Sequence, residues 1–162
     1  MNIKLAVFDA DKTLWSHPNV SDLALPLRLI NTNMLADANG EEFQLFDGIR
    51  ELLSKLQAKS ILMTIASWNK PEPVREALRL FEIDSFFTIV KAEFHPDKHQ
   101  MIANTILELA DRGIEVRPNE ILYIDDRTIH LENIRKKLGS IHFIQMWVDV
   151  KTPREIIEIL EK

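Results

Sequence analysis

The chain has 162 residues, 46% of them hydrophobic and 28% charged, which are ordinary values for one globular domain with its own core. Twenty basic residues against 25 acidic ones leave a net charge of −5, which argues against a nucleic-acid backbone or an anionic membrane as partner. There is no cysteine, so disulfides, thiolate metal sites and a cysteine nucleophile are excluded. No apolar run is long enough to span a bilayer, and residues 1–15 lack a signal-peptide layout, so a cytoplasmic protein is expected.

Strand-like and helix-like segments alternate along the chain. Leu5–Phe8 is a buried strand ending in Asp9-Ala10-Asp11-Lys12-Thr13-Leu14-Trp15. Residues 16–46 carry Pro18, Pro26, Asn31, Asn33, Asn39 and Gly40 among short apolar pieces. They predict a small flap, with strands at Leu25–Ile30 and Phe43–Phe46 and turns near Asn31–Asn33 and Asn39–Gly40. Asp47 is placed to cap a helix running through Lys59, with Ile49, Leu52, Leu53 and Leu56 as its apolar stripe.

Ile61–Ala66 is a continuous apolar strand followed by Ser67-Trp68-Asn69. Pro71 and Pro73 suit the first turn of a helix over Glu72–Leu80. Phe86–Val90 is a short strand, and Asp97 begins a helix to about Asp111, stopped by Gly113. Ile121–Ile124 is a buried strand ending in Asp125-Asp126. Thr128–Leu138 is a helix closed by Gly139, Ile141–Trp147 a further strand, and Pro153–Leu160 a last helix. This order predicts an α/β, Rossmann-like three-layer sandwich with a mainly parallel sheet, a flap within 16–46 and no large cap domain. The whole of 1–162 is expected to be one domain.

In open α/β sheets the carboxyl ends of the strands face the ligand crevice. Asp9 and Asp11, Ser67, Lys98 at a helix start, and Asp125 with Asp126 can all converge there. Carboxylates at i and i+2 of an extended segment share a face and can serve one site. Three acids can hold Mg²⁺, a hydroxyl and a lysine can hold phosphate oxygens, and a free carboxylate can attack phosphorus. Lys91 competes with Lys98 for the cationic role. Trp68 and Trp15 can line the entrance, Trp15 alternatively packing under the flap; Trp147 belongs to core or rim. His17, His95, His99, His130 and His142 have no spacing that demands a metal.

The ordered set, D-x-D-x-T, a serine after a second strand, a lysine at a helix and an acidic pair after a later strand, resembles the haloacid dehalogenase-like phosphohydrolases. Thr13-Leu14-Trp15 and Tyr123-Ile124-Asp125-Asp126-Arg127 are most similar to the magnesium-dependent phosphatase-1 group, whose members lack a large cap. Trp68 stands where that group usually has a basic residue, and Thr128-Ile129 also depart from its pattern. The resemblance implies a Mg²⁺-dependent phosphomonoester hydrolase acting through an aspartyl-phosphate. Asp9 is then the nucleophile and Asp11 the general acid and base, its backbone carbonyl on the metal. Thr13 buttresses the loop, and Ser67, Trp68 and Lys98 contact the substrate phosphate. Asp9, Asp11, Asp125 and Asp126 form the metal set; Asp126 binds directly, orients a metal water, or caps the following helix. The expected substrate is a small phosphate ester or a phosphoprotein, namely an aryl phosphate, phosphotyrosine or a small phosphosugar. Two other readings remain: a phospho-receiver domain, and a domain that loads phosphorylated acyl groups onto a carrier protein. Oligomeric state is not legible.

Overall fold

The computed structural model describes residues 1–162. Its centre is a parallel sheet built from β1 (Leu5–Phe8), β5 (Leu62–Trp68), β6 (Phe87–Glu93), β7 (Ile121–Asp125) and β8 (His142–Gln145), in the spatial order β6-β5-β1-β7-β8. β1 lies in the middle, with Phe8 level with Ile65 of β5 and Ile124 of β7. Every residue of β1 and β7 is buried, which is why β1, and β7 up to its terminal Asp125, are continuous apolar runs and not alternating ones.

Side-chain alternation divides the core between the two faces. Ala6 and Phe8 of β1, Met63 and Ile65 of β5 and Leu122 and Ile124 of β7 face α1 (Ile49–Ala58), α2 (Pro71–Leu80) and α5 (Arg154–Leu160). Leu5, Val7, Ile121 and Tyr123 face α3 (Lys98–Asp111) and α4 (Leu131–Leu138). The result is the three-layer sandwich expected from the sequence. No helix is long and apolar enough to cross a membrane.

The segment between β1 and α1 holds a separate antiparallel sheet of β2 (Arg28–Asn31), β3 (Met34–Ala36) and β4 (Glu42–Gln44). Two strands were expected here and three form. Pro26 prevents a strand from starting at Leu25, and Met34–Ala36 is too short to announce itself by alternation. Leu35 and Phe43 are buried, while all of β2 is exposed, so one face of the flap packs on the body. The packing centre is Trp15, fully buried, with ring centroids of Phe43 and Phe81 each 6.2 Å away. Trp15 therefore does not line the entrance. Trp147 is a rim residue, half-buried against Phe46 and donating its indole N–H to the Lys12 carbonyl at 2.7 Å.

Helix starts differ in detail from expectation. Asp47 does not cap α1; Gly48, in the left-handed region at φ 87°, makes that turn, and a Cβ there would lie 3.6 Å from Pro153. Pro71 occupies the first turn of α2 as anticipated. Asp97 precedes α3 but its carboxylate does not cap it. α4 begins at Leu131, three residues later than expected, leaving 126–130 as a loop above the sheet.

Candidate active site

β1 delivers Asp9 to the centre of the carboxyl edge. Its N–H still bonds the Ile124 carbonyl at 2.9 Å, so the sheet ladder fixes its backbone. The chain then turns tightly: the N–H groups of Thr13 and Leu14 return to the Ala10 carbonyl, and Lys12 sits at φ 60°. This turn aims the Thr13 hydroxyl at Asp9 Oδ2, 3.1 Å away, the buttressing position expected for it.

Asp9 is buried, and its other oxygen accepts from Lys98 Nζ at 2.6 Å. Lys98, the first residue of α3, has its whole side chain buried and also bonds Asp125 Oδ2 at 3.0 Å. Lys91 does not compete, because it pairs with Glu108 on the flank of α3. Asp125 shares the β7 face of Tyr123, whose hydroxyl hydrogen-bonds Asp125 Oδ2; Asp125 Oδ1 accepts the Arg127 N–H at 3.1 Å. Asp126, one residue on, leaves the strand and lines the open cleft. It does not cap α4, which is preceded by His130.

The carboxylates of Asp9, Asp125 and Asp126 each offer an oxygen within 4.8 Å of the others. Burial, reinforced by the charges of Asp125 and Asp126, holds the Asp9 carboxyl well above its ordinary range despite Lys98. Burial also raises Asp126. Burial opposes ionisation of Asp125 too, but Lys98 and the Tyr123 hydroxyl outweigh it and bring its carboxyl down to about 2. Burial works against the Lys98 ammonium, yet Asp9 and Asp125 outweigh it and raise its affinity for the proton. Three carboxylates thus gather at one point with a single ammonium on two of them, an oxygen-only donor set that suits a hard divalent cation.

Asp11 is turned differently. Its Oδ1 accepts from the Trp15 indole at 2.8 Å and the Val20 N–H at 3.3 Å, and its Oδ2 from Asn69 Nδ2 at 2.8 Å. Its carboxylate is outside the trio that can share a cation, and its backbone carbonyl is the group the resemblance assigns to the metal. Asn69 also donates to Ser67 Oγ at 2.8 Å, and its carbonyl faces the Ser21 hydroxyl. Ser67, at the end of β5, is fully buried. One amide therefore orients the second aspartate, the strand-end serine and the flap root. Sequence reasoning gave Asn69 no role, although it stands two residues after Ser67, the spacing that singles out Asp9 and Asp11.

A cleft of about 420 Å³ opens over this floor, lined by Asp9, Asp11, Asp126, Trp68 and Phe94 among others. Trp68 is thus at the rim, as its position suggests; Phe94, more exposed still, went unremarked in the sequence. His95 bonds Glu93 at 2.7 Å and is not among the cleft residues.

Residues 2–148 match the acid phosphatase family. The chain belongs to that family. This acid phosphatase family member is 24% identical over 160 residues to human magnesium-dependent phosphatase 1, covering 98% of this chain and 88% of the human protein. Its fold is that of haloacid dehalogenase superfamily hydrolases. A subfamily IA hydrolase from Geobacter sulfurreducens superposes with a TM-score of 0.67 at 18% identity, over 97% of this chain and 99% of the other. The N-terminal part of a Bacteroides fragilis protein, containing a phosphatase domain complexed with Mg, gives 0.63 at 15% identity over 98% of this chain; the match spans 39% of that protein's chain. The family membership makes the chain a phosphatase, and the absence of a large cap agrees with the expected fold class.

Proposed function

We propose that the chain is a Mg²⁺-dependent phosphomonoesterase working through an aspartyl-phosphate on Asp9. The observation that carries this reading is the pinning of the Asp9 carboxylate by Lys98 and Thr13 beneath an open cleft. Asp9, Asp125 and Asp126, with the Asp11 carbonyl, would hold the magnesium ion. When bound it would supply positive charge that keeps Asp9 ionised and offsets the charge of the phosphate dianion.

An Asp9 oxygen attacks phosphorus and the ester P–O bond breaks. The leaving oxygen takes its proton from Asp11. Asp11, now a carboxylate, removes a proton from water, and the resulting hydroxide attacks phosphorus and breaks the bond to Asp9. Trp15, Val20 and Asn69 hold Asp11 in one orientation for both steps. The Ser67 hydroxyl, the N–H groups after it and Lys98 hold the phosphoryl oxygens. The chain acts as one domain in which 16–46 is a minimal cap. An open mouth flanked by Trp68 favours aryl phosphates, phosphotyrosine or small phosphosugars. The adjacent Asp11 argues for turnover and against a long-lived receiver phosphate.

The test is hydrolysis of para-nitrophenyl phosphate with Mg²⁺, after chelation, and by Asp9→Asn. Chelation is expected to abolish activity and Mg²⁺ to restore it. Loss of a nucleophile costs on the order of 10⁶ in rate in a comparable covalent mechanism. Appreciable turnover by Asp9→Asn, with contaminating phosphatase excluded, would remove Asp9 from the role.

A further inference from the structure

The mouth of the cleft is chemically polarised, and the order of the sheet is the reason. Trp68 ends β5 and Phe94 follows β6, on one side of the central strand β1. Lys12 and Arg127 follow β1 and β7, toward the other side. All four line the same cleft above Asp9. Adjacent strands lie about 4.8 Å apart, so the β5 and β7 ends are separated by roughly 10 Å, enough for a single substituted ring.

The two walls differ in what they lack. Trp68 and Phe94 are 42% and 65% exposed, and Lys70 Nζ lies over one face of the Phe94 ring, 5.5 Å from its centre. An exposed apolar patch rimmed by polar residues marks a ligand or partner site, and these two rings lie at the mouth of one cleft. Opposite them, Lys12 and Arg127 line the cleft, are exposed, and belong to none of the ten ion pairs. Their backbones are nonetheless fixed. The Lys12 N–H and carbonyl are tied to Trp15 and Trp147, and the Arg127 N–H is tied to Asp125. Two unpaired cations therefore project from anchored backbone at the edge of a site whose phosphate position already has Lys98. A guanidinium binds carboxylate or phosphate in a forked geometry.

We propose that the cleft is built for an aryl phosphate bearing a second anionic group. The ring lies against Trp68 and Phe94, and the second anion is taken by Arg127 with Lys12. This rests on the phosphatase reading of the same site and narrows it. The second anion is a carboxylate or a second phosphate, which the guanidinium does not separate by itself.

Binding and turnover test the two readings apart. Affinities of non-hydrolysable phenylphosphonate, 3-carboxyphenylphosphonate and 1,3-phenylenebisphosphonate are measured by calorimetry on the Mg²⁺-loaded protein and on Arg127→Gln. Para-nitrophenyl phosphate turnover is followed in parallel. A second anion is expected to tighten binding about five- to tenfold, a fraction of a charge-assisted pair at a partly exposed rim. The preference should fall to within about twofold of unity in Arg127→Gln and weaken as ionic strength rises. Phe94→Ala should weaken all three ligands alike and keep the preference. Which of the two dianionic ligands gains more identifies the second anion. Equal binding of all three by the wild-type protein, or a preference retained in Arg127→Gln, overturns the proposal. Absent turnover with the binding preference intact overturns the phosphatase mechanism and leaves the second-anion site standing.

Discussion

Replacing Lys98 by methionine keeps most of the volume and apolar stem of a fully buried side chain and removes the charge with its N–H donors. Two carboxylates lose their partner together: Asp9 at 2.6 Å, with 7% of its side chain exposed, and Asp125 at 3.0 Å, with none. Removing one member of a buried pair usually costs about 3–5 kcal/mol, because a charge is left uncompensated. The variant escapes part of that cost by taking up protons. Carboxylates in the unfolded chain titrate near 3.9, so those of the folded variant are raised above the unfolded value. Their protonation grows easier by about 1.36 kcal/mol for each pH unit of descent, or roughly 2.7 kcal/mol per proton between pH 7 and pH 5. In the wild-type protein burial already raises Asp9, whereas Asp125 is held at about 2 and stays ionised throughout that range, so the pH-dependent difference between the two proteins comes chiefly from Asp125. Urea unfolding without divalent ions, at pH 7, 6 and 5, should therefore show a stability gap that is largest at pH 7 and closes as pH falls. A gap below about 1 kcal/mol at pH 7, or one that stays constant to pH 5, would refute the electrostatic account and leave only packing.

Asn69→Ala should lower kcat by about 10- to 100-fold, the usual effect of losing a residue that orients a functional group, with a smaller change in KM and a displaced pH–rate profile. An unchanged kcat would show that Trp15 and Val20 suffice to hold Asp11. His130 is buried, its Nε2 lacks a partner, and burial with the nearby Lys98 charge brings its imidazolium down to about 4. The unfolded chain takes up that proton near 6.5, so the neutral folded histidine favours the native state above pH 6.5 and that advantage is lost as pH falls toward 4. After allowance for solvent screening the loss is about 1–2 kcal/mol. His130→Asn should show a shallower fall in urea midpoint between pH 7 and 4.5, and parallel curves would remove His130 as the cause.

The parts of the fold set by burial on both faces were legible from residue types alone. β1 and β7 are uninterrupted apolar runs, and a polar residue at the end of each marks the ligand edge. Lys98 was legible because Pro96-Asp97 starts a helix at that point. What escaped depended on contacts across the chain. β3 has only three residues and is held by pairing with β2 and β4, not by its own pattern. Asp125 and Asp126 are chemically identical neighbours. Only the pleat of β7, which turns Asp125 toward α3 with Tyr123, decides that Asp125 meets Lys98 while Asp126 faces the cleft. Asn69 acquires meaning through Asp11, 58 residues earlier.

The central position of β1 has a consequence for the nascent chain. Asp9 meets Lys98 across 89 residues, and β1 finds its second neighbour only when Ile121–Asp125 is available. Until residue 121 is made, a β6-β5-β1 sheet would have on its β1 side a bare, wholly apolar strand edge, the kind of surface that pairs with other chains. Asp125, with Asp126 after it, arrives at the end of the strand that closes this edge. A chain arrested before residue 121 would therefore carry Asp9 and Asp11 on an aggregation-prone half-sheet, and the same strand that brings Asp125 to Asp9 and Lys98 covers that edge.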